Sequence, residues 1–130
     1  MKRLAIVLCL LLLIPALAQR RQNQSVDVGL QLVDQKRTTT ASQTDDLVEF
    51  KVKLTNNGDA PVVYTNNRFV LTDSEQNTYT VNRARYPERS NLEPGGSAVV
   101  ERIFFEIPKK SKPATLSFVV GRKAAASINL

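Results

Sequence analysis

From Val48 to Leu54 the chain alternates without exception: Val48, Phe50, Val52 and Leu54 are apolar, and Glu49, Lys51 and Lys53 between them are charged. A repeat of two puts the apolar set on one side of an extended strand and the charged set on the other. Wound into a helix, the same residues would scatter both sets around the circumference, so this segment is a strand with one face in a core and one in water. It runs directly into Asn56-Asn57-Gly58-Asp59-Ala60-Pro61. That is a turn by composition, because Asn, Asp and Gly tolerate the backbone angles of a reversal and Pro cannot extend a ladder. The rest of the chain has to be compatible with a sheet laid beside this strand.

The same rhythm recurs along the chain. Val26, Val28, Leu30 and Leu32 alternate with polar or small residues and predict a first strand. Asp34 to Asp46 has no apolar rhythm and reads as a long polar loop. Pro61 to Tyr64 starts another extended piece, and the Asn66-Asn67 pair marks a bend before Phe69 to Thr72. Asp73-Ser74-Glu75-Gln76-Asn77 is a turn cluster that makes a hairpin of Phe69–Thr72 and Thr78–Val81. Asn82 to Asn91 is polar and basic, with Pro87 inside it, and reads as loop. After the tight turn Glu93-Pro94-Gly95-Gly96, Ser97 to Ile107 is a long strand with Ile103, Phe105 and Ile107 on one face. Pro108 ends it and Lys109 to Pro113 forms a charged turn. Leu116, Phe118 and Val120 alternate again, Gly121-Arg122-Lys123 turns the chain, and Ser127 to Leu130 closes the sheet. Ala124 to Ala126 is the one helix-friendly spot and is too short to nucleate a helix. Seven or eight short strands separated by turns predict an all-β antiparallel sandwich or barrel.

The first eighteen residues follow other rules. Met1-Lys2-Arg3 is basic, Leu4 to Ile14 is unbroken apolar sequence, and Pro15 precedes Ala16-Leu17-Ala18, with small residues where a signal peptidase reads. This three-part pattern is a secretory signal cut between Ala18 and Gln19, and its apolar run is short of the roughly 20 residues of a membrane span. Cys9 lies inside that run without the flanking small residue of a lipid-attachment site, and Arg20-Arg21 follows the run instead of leading it, unlike a twin-arginine signal. The expected organisation is a signal at 1–18, a polar arm at 19–24 and one sandwich domain over 25–130. The expected address is periplasmic or extracellular, reached through the general secretory route. Removing eighteen residues from 130 leaves 112, enough for one two-sheet domain. The net charge falls from +6 to +4 because Lys2 and Arg3 leave, and the single cysteine leaves as well. The mature domain is then disulfide-free and must hold together by packing.

The side-chain inventory excludes whole classes of chemistry. The chain has no histidine, and after cleavage no cysteine, which removes histidine-dependent triads, thiol catalysis and the common zinc sites. Ser111 lies between Lys110 and Lys112, but in a Lys-rich turn neither lysine is desolvated enough to act as its base. Asp73 to Asn77 is oxygen-rich, yet it is shorter than a calcium loop and is explained by a hairpin turn. The expectation is a protein without catalytic residues, metal or cofactor. Two basic clusters are candidates for ligand binding: Arg83, Arg85, Tyr86 and Arg89 in one loop, and Lys109, Lys110 and Lys112 in another. Together they suit a polyanion such as lipopolysaccharide, teichoic acid or nucleic acid, through phosphate contacts and stacking. The charged side of Val48–Leu54 is expected to face solvent and hold no site, and the default partner is a protein or cell-envelope component.

Three segments carry a family resemblance. Phe50 to Gly58 resembles the strand followed by Asn and Gly of immunoglobulin-like extracytoplasmic domains of bacteria. Phe69-Val70-Leu71-Thr72-Asp73 with Tyr79 resembles their Phe-x-Leu-x-Asp, turn, Tyr hairpin, and Leu92-Glu93-Pro94-Gly95-Gly96 with Phe104 to Pro108 resembles their closing segment. The family is a large set of uncharacterised domains, common in bacterial lipoproteins, whose fold is shared with a secreted immunogenic mycobacterial antigen. The resemblance spans Val26 to Val120, departs from the pattern in lacking a lipid-attachment motif and the usual turn glycine after Asp73, and implies an immunoglobulin-like β-sandwich with no catalytic residues to carry over. A related resemblance to bacterial proteinase-inhibitor domains implies a reactive loop, for which Asn82–Asn91, with arginines suited to a trypsin-like pocket, is the candidate.

Overall fold

The computed structural model describes residues 26–41, 44–82 and 89–130. The expected signal and arm lie outside the described residues. The central element is β2 (Asp45–Asn56), which holds the alternating segment. Val48, Phe50, Val52 and Leu54 are fully buried, as the period of two requires. β2 is flanked by β1 (Val28–Thr39) and β7 (Ser97–Pro108) in a three-stranded antiparallel sheet of order β1-β2-β7. A four-stranded sheet faces it: β5 (Thr78–Thr80), β4 (Phe69–Asp73), β8 (Pro113–Val120) and β9 (Lys123–Asn129), in that order and all antiparallel. A ribbon of β3 (Val62–Thr65) and β6 (Arg89–Leu92) completes the set, with a single 3-10 turn at Asn66–Arg68 leading into β4.

The two sheets close over one core. From the first come Val28, Val100, Ile103, Phe105, Ile107 and the β2 residues; from the second come Phe69, Leu71, Leu116 and Phe118. Phe69 lies directly across from Phe118 and Leu71 across from Leu116, so one face of β4 and β8 is apolar. Phe50 meets Phe105 edge-on at 5.8 Å between ring centroids, and Phe69 tilts against Phe118 at 5.3 Å. Both geometries avoid a face-to-face sandwich of like quadrupoles. Val62, Tyr64 and Leu92 seal one side from the ribbon, and the Asn82 N–H donates to the Phe104 carbonyl at 2.9 Å, joining the chain after β5 to β7.

The architecture is the expected all-β antiparallel sandwich, with nine strands among the described residues in place of seven or eight. Two differences have a common cause. The stretch Asp34 to Asp46 is largely strand: β1 continues to Thr39 and pairs with β2 as far as Thr39 opposite Asp46. Val33 is an extra residue between Leu32, opposite Val52, and Asp34, opposite Lys51. Such a bulge shifts the alternation by one, so the core-side positions beyond it fall to Gln35, Arg37 and Thr39 and the apolar rhythm disappears. The strand β6, within the segment expected to be loop, buries only Leu92 and is equally silent to hydrophobic patterning. Lys123 and Ala124 to Ala126 are already β9, so the closing strand starts earlier than expected.

Phe105 has no solvent exposure and touches Phe50. Truncating it to alanine should cost about 3–5 kcal/mol in a urea titration at neutral pH, the range for deleting a buried ring. A loss below about 1 kcal/mol, the scale of an exposed substitution, would show that the two sheets are not closed over it.

Candidate binding face

Buried polar side chains are the first place to look for chemistry, and four are buried among the described residues: Asp46, Asn56, Asn66 and Asp73. Asn56 ends β2 and is completely enclosed. Its amide donates to the carbonyls of Ala60 at 2.8 Å and Leu92 at 2.9 Å, and its Oδ1 accepts from the Gly58 N–H at 2.9 Å. Its backbone N–H reaches the Gly96 carbonyl and its own carbonyl accepts from the Gly95 N–H. The turn it grips is specific to its sequence. Pro94 precedes Gly95 at φ 77°, and a Cβ on Gly96 would stand 2.9 Å from the Glu93 carbonyl oxygen. Positive φ and that contact both require glycine.

Asp73 is the second hub. Oδ1 accepts from the N–H groups of Glu75 and Asn77, and Oδ2 from the Asn77 amide, the Tyr79 hydroxyl at 2.8 Å and the Ser111 hydroxyl at 3.2 Å. Burial alone would raise this carboxyl, but the hydrogen bonds from Asn77, Tyr79 and Glu75 prevail and hold it down at about 2. The hairpin it organises is a three-residue loop with Gln76 at φ 69°, the position usually given to glycine. Ser111 comes from the turn after β7, so one carboxylate ties that turn to the β4–β5 hairpin. Every acceptor site of Asp73 serves the fold, and none is offered to a ligand.

Arg37 and Asn66 perform the same service elsewhere. The Arg37 guanidinium donates to Asp46 Oδ2 at 2.8 Å and to the carbonyls of Ser111, Lys109 and Pro108 at 2.9, 2.9 and 3.3 Å. It pins the turn after β7 to the far end of β1. Sequence reasoning missed it because it sits on strand sequence whose alternation the Val33 bulge has displaced. Asn66 donates to the carbonyls of Glu101 and Arg102 at 2.8 and 3.3 Å. Asp46 Oδ1 and Asn66 Oδ1 are buried without a hydrogen-bond partner. Among the described residues no group of three or more acidic side chains is placed to share a metal ion.

The outer face of the β1-β2-β7 sheet is different. A second irregularity lies opposite the first: Phe50 pairs with Ile103 and Val52 with Val100, so both Glu101 and Arg102 face Lys51, with Arg102 at φ 59°. Bulges on both neighbours of β2 thus meet at Lys51 and leave a concavity of about 210 Å³ lined by Asp34, Lys36, Glu49, Lys51, Glu101 and Arg102. Lys51 and Glu101 pair at 2.9 Å, which raises the lysine and lowers the carboxylate. Both are well exposed, so water and salt screen the pair. Beside this mixed-charge hollow stand Val33, 51 % exposed, and Val99, 52 % exposed, the most exposed large apolar side chains described. Val99 lies across from Lys53 and half-buried Phe104 across from Glu49, so the apolar groups are interleaved with charge on one surface. The charged face expected to be bare solvent surface carries a concavity.

Of the sequence-predicted site residues, Arg83, Arg85 and Tyr86 lie outside the described residues, as does most of the candidate inhibitory loop. Arg89 opens β6 opposite Thr65, beside the Asn66 turn that is hydrogen-bonded to Glu101 and Arg102. Lys109, Lys110 and Lys112 are exposed on the turn that Arg37 pins. From Arg102 to Pro108 the extended chain covers about 20 Å at about 3.3 Å per residue, so Arg89 and the lysine turn occupy different parts of the surface.

Protonating Asp73 removes its acceptor capacity, and the sign follows. A carboxyl lowered to about 2 from its ordinary 3.8 adds stability above the ordinary value, and that stability is lost as pH falls through the native one. Urea midpoints should therefore drop between about pH 4 and about pH 2. Asp73→Asn should be less stable at neutral pH yet show a flatter profile over that window. Parallel profiles for the two proteins would exclude Asp73 as the cause.

The family model described as a domain of unknown function, DUF4352, matches residues 21–126. No curated protein matches the chain. A crystal structure of the secreted Mycobacterium tuberculosis protein MPT63 is similar in fold, with a TM-score of 0.60 over 82% of this chain and 85% of that one at 13% identity. Among the described residues no helix is long and apolar enough to cross a membrane. The chain belongs to the DUF4352 family, with the immunoglobulin-like sandwich that the resemblance implied.

Proposed function

We propose that this DUF4352 member is a non-catalytic, extracytoplasmic binding module that meets a protein partner on the outer face of its three-stranded sheet. The observation that carries the reading is a concavity lined by charges of both signs and flanked by Val33, next to Asp34, and Val99, across from Lys53, each about half exposed. Apolar anchors surrounded by polar groups are the anatomy of a protein-binding patch. The absence of histidine from the whole chain, and the commitment of Asp73, Asn56 and Arg37 to holding loops, support a role without catalysis. The signal-like composition of Met1 to Ala18 and the similarity in fold to a secreted protein support export through the general secretory route to the periplasm or beyond.

A second reading has its own observation. Arg37 fixes the carbonyls of Pro108, Lys109 and Ser111, so Lys109, Lys110 and Lys112 project from a braced turn, a geometry suited to phosphates of a cell-envelope polymer or nucleic acid. Arg83, Arg85, Tyr86 and Arg89 would offer a second, separate basic cluster.

The two readings separate in one experiment. Wild-type protein, a Val33→Glu/Val99→Glu variant and a Lys109→Glu/Lys110→Glu/Lys112→Glu variant are each used to capture partners from native envelope. The first reading expects the proteins bound by wild type to fall about tenfold or more with the valine variant and to persist with the lysine variant. Unchanged capture by the valine variant, with heparin retention at low salt that the lysine variant loses, would move the function to the turn.

A further inference from the structure

We infer that the outer sheet face is self-complementary and that its occupant is a second copy of this chain; the inference rests on the face reading above. The register carries it. On the outer side, Lys51 occupies the centre of β2, with Glu49 one step to one side and Lys53 one step to the other. Glu49 has Phe104 beside it on β7, and Lys53 has Val99 beside it on the same strand. A two-fold axis lying in the interface and crossing the strands at Lys51 exchanges these two rows. It sets Glu49 of one copy over Lys53 of the other, and Phe104 of one over Val99 of the other, each contact occurring twice. Farther out the same operation sets Leu47 over Thr55 and Lys36 over Gln31, with no like charges opposed. In the axial row each group meets its own copy: Lys51 and Glu101, paired at 2.9 Å, with Arg102 beside them on β7 and Asp34 opposite Lys51 on β1, so two cations and two carboxylates from each copy share that row and neither sign prevails.

Charge balance points the same way. The chain as a whole carries +6, which opposes self-association over most of its surface. On this face Asp34, Asp45, Glu49, Glu101 and Glu106 stand against Lys36, Lys51, Lys53 and Arg102, leaving a net charge of −1 where the chain as a whole is +6. It is a surface of mixed charge on which two copies approach with little net repulsion. Strands of twelve residues at about 3.3 Å each, three abreast at about 4.8 Å, make a face of roughly 40 by 14 Å. That is somewhat less than the about 800 Å² per partner of a standard interface, which predicts a weak, concentration-dependent dimer.

The test uses charge reversal and mixing, read by sedimentation velocity on the mature protein from micromolar to millimolar concentration, with circular dichroism confirming the fold of each variant. Wild type should dimerise within this range. Glu49→Lys alone and Lys53→Glu alone should each weaken the dimer about tenfold or more, since each opposes like charges at both symmetric contacts. An equimolar mixture of the two variants should recover dimer. In the mixed pair the lysine introduced by Glu49→Lys faces the glutamate introduced by Lys53→Glu, and the second contact keeps its original Lys53 over Glu49. Wild type that stays monomeric to millimolar concentration, single variants that associate as wild type does, or a mixture that fails to recover would each overturn the inference. The face reading stands or falls separately, on whether Val33→Glu/Val99→Glu loses captured partners.

Discussion

The structure depends on the inner face of β2. Val48, Phe50, Val52 and Leu54 are wholly excluded from water in the middle strand of the first sheet, with hydrogen-bonded neighbours on both sides. Burying each such side chain contributes about 1.5–3 kcal/mol, and in the absence of any cysteine among the described residues there is no covalent brace to replace it. β1 and β7 take their register from this strand, the second sheet closes over its apolar side, and its last residue, Asn56, fixes the loops at that end. The side of β2 that the core does not use is left to face solvent.

The segments that carry the family resemblance turn out to be joints. Asn56 to Gly58 and Pro94 to Gly96 lie far apart in the chain, yet one enclosed asparagine side chain and its backbone hold them together. Asp73 and Tyr79 are likewise two parts of one hydrogen-bonded hairpin, extended by Ser111. Each group is buried, satisfied and hard to replace, because an unmade hydrogen bond in the interior costs more than a made one contributes. Residues of this kind serve the fold, irrespective of what the protein binds. Resemblance built on them identifies the sandwich and is silent about the ligand.

Legibility followed burial. β2, the β4–β5 hairpin and the second half of β7 were readable because each alternates in one phase, with a core on one side. The far half of β1 was not, since the Val33 bulge exchanges its faces and Arg37 satisfies itself with carbonyl oxygens where an apolar residue would have marked a strand. β6 was hidden because only Leu92 reaches the core. The lysine turn was visible as sequence, and its bracing by Arg37 was not, because the partners are dozens of residues apart. The concavity was invisible for the same reason as the strand: it forms where two bulges on different strands coincide at Lys51, and neither bulge has a composition of its own. Val33 and Val99 were in view throughout, but a lone valine at an outward position says nothing until its neighbours on the adjoining strands are known.

The bulge at Val33 also bears on what this protein avoids. β1 is the outer strand of its sheet, twelve residues long, and an uninterrupted strand in that position offers a row of backbone donors and acceptors on which further chains can template. The extra residue breaks the spacing of that row midway, and Lys36 just beyond it adds charge to the rim. Growth by strand addition, the route to open-ended fibrils, is obstructed at the very point where the neighbouring surface becomes concave. A protein kept at high local concentration gains solubility from the same irregularity that shapes the hollow at Lys51.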